Sequence, residues 1–124
     1  WEQVSTKPIY FSELGADSYM TKPTLKYAAG ENQQAQADAN GIILKEVLKN
    51  YDKNIGAFIF SFTDGLWKAG NPYTQDTGGS VPNSDGTPYD GSANEEYWGI
   101  VDINRNKKIT FDVIKEAYLN HKIN

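Results

Sequence analysis

The chain has 124 residues, with 12 Lys and Arg against 16 Asp and Glu, a formal charge of −4 and a pI near 4.9. That is one domain's length, and the acidic balance excludes a general binder of phosphate backbones, which needs a basic face. The lack of Cys excludes a disulfide framework and thiolate metal sites. It assigns no compartment.

The mean hydropathy is −0.62 and apolar residues make up 39%, the composition of a folded chain rather than a disordered one. No apolar stretch approaches the ~20 residues of a membrane span. Aromatics reach 13%, as 8 Tyr, 5 Phe and 3 Trp. Part of that number is expected in a core, and the rest suits stacking on flat, apolar-faced ligands. The start at Trp1, with no basic and apolar leader pattern, reads as a processed or truncated product.

Pro8 precedes the apolar and aromatic run Ile9-Tyr10-Phe11-Ser12, and proline is tolerated at the first position of a strand. A buried strand is expected at 9–13. Residues 15–30 read as a loop. A helix is expected over 32–51, with Ala35, Ala39, Ile42, Ile43, Val47, Leu48 and Tyr51 as its apolar stripe. Gly41 inside it costs about 1 kcal/mol against Ala, which implies a packing reason.

A turn at 52–54 leads into Ile55-Gly56-Ala57-Phe58-Ile59-Phe60-Ser61-Phe62. This run predicts a strand buried on both faces, as in a parallel sheet flanked by helices. Residues 65–98 form a long polar, acidic segment with a local turn at Asn83-Ser84-Asp85-Gly86, expected as a solvated cover over the site. Structureless loops of that length are uncommon and usually functional or disordered. A short extended piece at 99–102 and a turn at 104–108 precede a last helix. Thr110 is its expected N-cap and Phe111, Ile114, Ala117 and Tyr118 its buried stripe.

The order strand, helix, strand, long loop, helix predicts a parallel strand pair, 9–12 against 58–62, joined by a right-handed crossover. Two strands and two helices cannot cover both faces of a parallel sheet, so the chain reads as part of a larger α/β domain.

Glu13 stands at the C-terminal end of the first strand, where α/β barrels place catalytic groups. Read from composition alone, it is equally a solvated strand-end carboxylate. Phe62-Thr63-Asp64-Gly65-Leu66-Trp67-Lys68 occupies the same position after the second strand. Trp67 is either a platform for a sugar ring or a plug under the long loop. Asp64 either orients a sugar hydroxyl or caps the loop.

Three segments carry a family resemblance. Ile9-Tyr10-Phe11-Ser12-Glu13-Leu14-Gly15-Ala16-Asp17 resembles the strand-seven segment of clan A glycoside hydrolases, which carries the nucleophilic Glu. The run from Gly56 through Phe60 and Trp67 to Gly70 resembles strand eight and its loop. Asn94-Glu95-Glu96-Tyr97-Trp98-Gly99-Ile100-Val101-Asp102 resembles the approach to the final barrel helix. The likeness runs over nearly the whole chain in order, and is nearest to family 2 and family 17 enzymes acting on β-linked glycans such as β-glucan. Family-72-like glucanosyltransferases are also similar around Glu13.

The resemblance implies an α/β fold in which residues 1–124 form the C-terminal quarter of a TIM (β/α)₈ barrel, strands seven and eight with their helices. It implies a retaining glycoside hydrolase with Glu13 as nucleophile. Trp67, Phe60, Asp64 and Tyr97 are the implied substrate contacts, with Tyr73 and Tyr89 as further aromatic candidates on the loop. The acid/base Glu comes from strand four in this clan, outside these residues. Asn94-Glu95 resembles the clan's acid/base dipeptide but follows strand eight and is not assigned that role. Phe60 stands where many members carry Trp, which moves the principal platform to Trp67.

The implied partners are a β-linked glycan and the remainder of the barrel or another copy of the chain. No cofactor, metal or nucleic acid is implied. A catalytically silent glycan-binding protein, a β-glucanosyltransferase and a structural fragment are the competing readings.

Asp102-Ile103-Asn104-Arg105-Asn106 has calcium-loop spacing, but Lys107 replaces the turn Gly and Val113 the bidentate acid. A polar turn is expected instead. His121 is read as a solvated surface residue and Met20 as packing. Gly70-Asn71-Pro72 and Gly78-Gly79 do not read as a phosphate-binding helix start.

Overall fold

A computed structural model describes residues 1–68, 71–77, 81–82 and 92–121. The elements in chain order are β1 (Ile9–Leu14), β2 (Tyr19–Met20), β3 (Gly30–Glu31), α1 (Gln33–Lys49), β4 (Asn54–Ile59), β5 (Val81–Pro82), β6 (Ser92–Ala93), a single 3₁₀ turn at Glu95–Tyr97, and α2 (Ile109–Asn120). Among the described residues the fold is α/β, with two helices and short strands.

β1 and β4 are parallel neighbours with α1 as the crossover, as the element order predicts. Ile9 pairs with Asn54, Phe11 with Ala57 and Leu14 with Ile59, with register shifts between these pairs. β4 ends at Ile59, short of the expected end at 62. The chain continues through a cis Phe60–Ser61 peptide and is then paired by a third extended segment. Ser61 N–H donates to the Trp98 carbonyl at 3.0 Å, Val101 N–H to the Phe62 carbonyl at 3.1 Å and Asp64 N–H to the Val101 carbonyl at 3.0 Å. This is the extended piece expected at 99–102. Gly99 permits the approach, because a Cβ there would lie 2.1 Å from Asp64 N.

α1 starts where Asn32 caps it, its side chain accepting from Ala35 N–H at 3.0 Å. It ends at Lys49 with Asn50 as C-cap, and Asn54 Nδ2 donates back to the Val47 and Asn50 carbonyls, at 3.0 and 2.6 Å, satisfying acceptors that a helix end leaves open. Its buried residues are Ala35, Gln36, Ala37, Ala39, Asn40 and Leu44. Two members of the expected stripe are corrected: Ile42 and Tyr51 are exposed. Ile42 is two residues, about 200° of helix, from buried Leu44, and Tyr51 lies past the helix end. At Gly41 a Cβ would meet Val113 Cγ1 at 3.4 Å, so α2 rides close over α1 there, which is the packing reason its presence implied.

α2 begins two residues earlier than expected, at Ile109 with Lys108 in the cap position. Thr110 is not its cap: it is fully buried inside the first turn, where its Oγ1 accepts from Asn40 Nδ2 at 2.9 Å. Ile114 is buried, but Tyr118 is half exposed. Residues 15–30 contain the small antiparallel pair β2–β3, with Tyr19 opposite Glu31 and Met20 opposite Gly30. Met20 is fully buried, as packing requires.

The expectation that 55–62 is buried on both faces does not hold within these residues. Tyr10, Ile55, Phe58 and Phe62 are all more than half exposed, because α1 covers one side of the strand pair and no described element covers the other. Tyr10 and Phe58 meet edge to face at 6.4 Å on that open side. His121 is also corrected: it is half-buried, packed edge-on to Tyr51 at 5.7 Å.

Candidate functional site

β1 carries Glu13 to its C-terminal end, where the side chain is exposed. Gly15 follows, and the chain there runs against the end of β4: a Cβ on Gly15 would sit 2.3 Å from the Phe60 carbonyl oxygen. The two strand ends are thereby held together. Between them opens a cavity of about 330 Å³ lined by Glu13, Leu14, Gly15, Phe60, Lys68, Glu95 and Trp98, at the lower end of the size of small-molecule sites. A larger cavity of about 540 Å³ lies at the opposite, N-terminal ends of the strands, against Trp1, Ile9, Phe11 and Asn54. Its lining also includes two carboxylates, Glu2 and Glu46, but it lies at the end of the strand pair away from Glu13, opposite to the end where α/β barrels place catalytic groups.

Lys68 organises the wall. Its Nζ lies 3.0 Å from Glu95 Oε2, with both side chains about one-quarter exposed. The same ammonium stands 4.5 Å from the Phe60 ring centre and 5.2 Å from that of Trp67, within cation–π range. Phe60 meets Trp98 edge to face at 5.8 Å. The Trp98 indole Nε1 is buried with no hydrogen-bond partner among the described residues.

Beneath this wall lies a buried polar layer. Lys108, 1% exposed, donates from Nζ to Asp64 Oδ1 at 2.7 Å, Ser18 Oγ at 2.8 Å and the Tyr97 carbonyl at 3.2 Å. Three donors thus meet three acceptors. Asp64 accepts further from Gly99 N–H at 2.7 Å and Gln75 Nε2 at 3.2 Å. Burial pushes the Asp64 carboxyl up, opposed by Lys108. Gln36 reaches from α1 to the Ala16 and Gly99 carbonyls at 3.1 and 3.0 Å. Glu96, fully buried, accepts from the backbone N–H groups of Lys68 and Asp76. The expectation of a merely solvated loop is corrected: a buried carboxylate anchors it.

No protein-family model matches the chain, and no curated protein matches it. Solved structures do. A family 2 (GH2) β-galacturonidase from Eisenbergiella tayi bound to galacturonate aligns over 91% of this chain and 17% of its own, with 22% identity and a TM-score of 0.57. The β-D-glucuronidase of Dictyoglomus thermophilum aligns over 97% of this chain and 17% of its own, at 19% identity and a TM-score of 0.58. The Bifidobacterium dentium β-glucuronidase complexed with coumarin-3-O-glucuronide aligns over 97% and 16%, at 20% and 0.58. The chain spans about one-sixth of the length of these structures. At this identity the likeness shows the fold alone.

Of the expected site residues, Glu13 and Phe60 line one cavity. Trp67 does not line it but is tied to it through Lys68, and is 76% exposed. Asp64 and Tyr97 lie outside its lining. Asp64 is committed to Lys108, Gly99 and Gln75. Tyr97 is 7% exposed and packs on Tyr19 at 4.9 Å, and burial pushes its hydroxyl up to about 12. Tyr73 is exposed. Tyr89, the turn at 83–86, Gly70 and Gly78-Gly79 lie outside the described residues.

Lys68, Trp98 and Lys108 escaped the sequence reading. Lys68 had a signal, as a cation directly after Trp67. Lys108 had none, since a lysine in a Lys-Lys turn reads as solvated. The Asp102 turn is closed by its own amides: Asp102 Oδ1 accepts from Asn104 and Asn106 N–H, and Oδ2 from Asn106 Nδ2, all at 2.8 Å. The Asn106 side chain holds this carboxyl below its ordinary value. Among the described residues no cluster of His, Cys, Asp or Glu could hold a metal, and no helix is long and apolar enough to cross a membrane.

Proposed function

We propose that this chain is the C-terminal part of a (β/α)₈-barrel glycoside hydrolase acting on β-linked glycans, and that Glu13 is its nucleophile. The observation that carries this reading is the position of Glu13. It stands at the C-terminal end of a parallel strand, in a cavity shared with Phe60, Trp98, Glu95 and Lys68. The solved structures of similar fold support it, since they are named as β-galacturonidase and β-glucuronidases. The open apolar side of the strand pair supports a larger domain, with further strands and helices of the barrel as its cover.

In this reading the Glu13 carboxylate attacks the anomeric carbon as the glycosidic C–O bond breaks. A second carboxylic acid gives its proton to the departing oxygen, and water then releases the sugar from Glu13. The second acid belongs to the part of the barrel outside these residues. Trp67 and Phe60 supply apolar faces to the glycan. Asp64 and Tyr97 serve as positioning groups beneath the site.

The test is Glu13→Gln in the protein, assayed with aryl β-glycosides. Turnover is expected to fall by orders of magnitude with binding nearly intact, because the amide keeps the shape but is a poor nucleophile. Turnover close to wild type removes Glu13 from the role. Residues 1–124 alone are expected to be inactive, because they carry one of the two required carboxylates. Activity of that piece would point to Glu95 or Glu96 as the second.

A further inference from the structure

The charge balance of the cavity bears on which sugar it takes. Its lining carries two carboxylates, Glu13 and Glu95, and one ammonium, Lys68. That ammonium is already engaged, 3.0 Å from Glu95 and over the faces of Phe60 and Trp67. Glu96 adds a third carboxylate one residue from Glu95, buried and bonded to backbone amides. We propose that the Lys68–Glu95 ion pair reads sugar hydroxyls, so that this cavity takes an uncharged glycosyl unit in preference to a uronate. The proposal rests on the glycan reading above and adds the substrate class.

The chemistry follows from the donor and acceptor inventory. An ammonium has three N–H donors and a carboxylate two acceptor oxygens. With Oε2 turned to Lys68, Glu95 has a second oxygen for a hydroxyl donor, and Lys68 has further N–H groups for a hydroxyl oxygen. A neutral sugar with neighbouring hydroxyls meets both without disturbing the pair. A uronate adds a negative charge to a cavity already carrying an excess of one. It could gain Lys68 only by displacing Glu95, leaving a carboxylate three-quarters buried and without its cation, and such removal of one partner is costly. The apolar faces of Phe60 and Trp67 favour the C–H face of either sugar equally, so the discrimination falls to the ion pair.

The test compares methyl β-glucoside with methyl β-glucuronide, and the galacto pair, by tryptophan fluorescence titration of the protein. Turnover of the matching 4-nitrophenyl glycosides is measured in parallel. The neutral sugar of each pair is expected to bind at least tenfold more tightly. Glu95→Gln releases Lys68 and is expected to move that ratio at least tenfold toward the uronate. Lys68→Met is expected to weaken the neutral sugar severalfold without helping the uronate. Both side chains are partly exposed, so both variants are expected to keep the fold, checked by circular dichroism. Preference for the uronate in the wild type, a ratio unmoved by Glu95→Gln, or no binding of either sugar overturns the proposal. Binding with the expected preference but no turnover of any glycoside leaves the proposal standing and overturns the hydrolase reading alone.

Discussion

Lys108 Nζ and Asp64 Oδ1 lie 2.7 Å apart with both side chains essentially excluded from solvent. The contact joins the turn before α2 to the loop after β4, and Lys108 extends it to Ser18 in the loop after β1. Three segments that start at the C-terminal ends of the strands or pass over them are thereby fixed at one ammonium.

Removing one partner is therefore expected to be severe. Lys108→Met leaves the Asp64 carboxylate buried without its cation, at an expected cost of about 3–5 kcal/mol. Asp64→Leu is expected to cost a similar amount by stranding Lys108. The double variant should cost clearly less than the sum, because neither charge is left alone. Urea denaturation of the three variants and wild type measures this coupling. Strict additivity would mean the pair is not coupled.

Tyr97 gives the protein an alkaline limit. Its hydroxyl holds the proton up to about 12 in the folded state, by burial first, against an ordinary value of 10.0. An unfolded chain releases that proton earlier, so the group's contribution is fully present below pH 10 and is lost as pH rises toward 12. Stability is thus lost progressively across that window. Tyr97→Phe should flatten this part of the stability–pH curve, followed by circular dichroism alongside tyrosinate absorbance. An unchanged curve would show that Tyr97 does not titrate with unfolding.

Gly15→Ala places a methyl 2.3 Å from the Phe60 carbonyl oxygen. The atom it would overlap is backbone, with Trp98 Cε3 at an ordinary 3.4 Å, so the strand ends must part. A loss of about 1–3 kcal/mol is expected, as for other overpacking changes, together with weaker glycan binding as Glu13 moves from Phe60. Thermal melting and sugar titration report the two effects separately.

Glu13→Gln should leave stability within about 0.5 kcal/mol, because the side chain is exposed. A large loss of stability would mean that Glu13 holds the strand ends together rather than facing a ligand.

The local chemistry of the chain determined much of this arrangement by itself. Pro8 followed by an aromatic run, an apolar stripe at helical spacing over 32–51, and a continuous apolar run after a turn are enough for β1, α1 and β4 in parallel order. These are near-neighbour signals of periodicity and propensity. Glu13 at a strand end was legible for the same reason, because strand direction and strand end are both written in contiguous residues.

Only the tertiary structure decided which polar groups turn inward. Asp64, Lys108, Glu96, Gln36 and Thr110 are each buried although their residue types are ordinarily surface types. What makes their burial tolerable is a partner 28 to 90 residues away, as in Lys68–Glu96 and Lys108–Ser18. A buried polar group is stable only when its donors and acceptors are met, and no local window of sequence contains both halves of such a contact. The same reason separates Asp64 and Tyr97 from Phe60. All three sit in aromatic, acidic segments near strand ends, and packing alone sends two of them beneath the site and one into it.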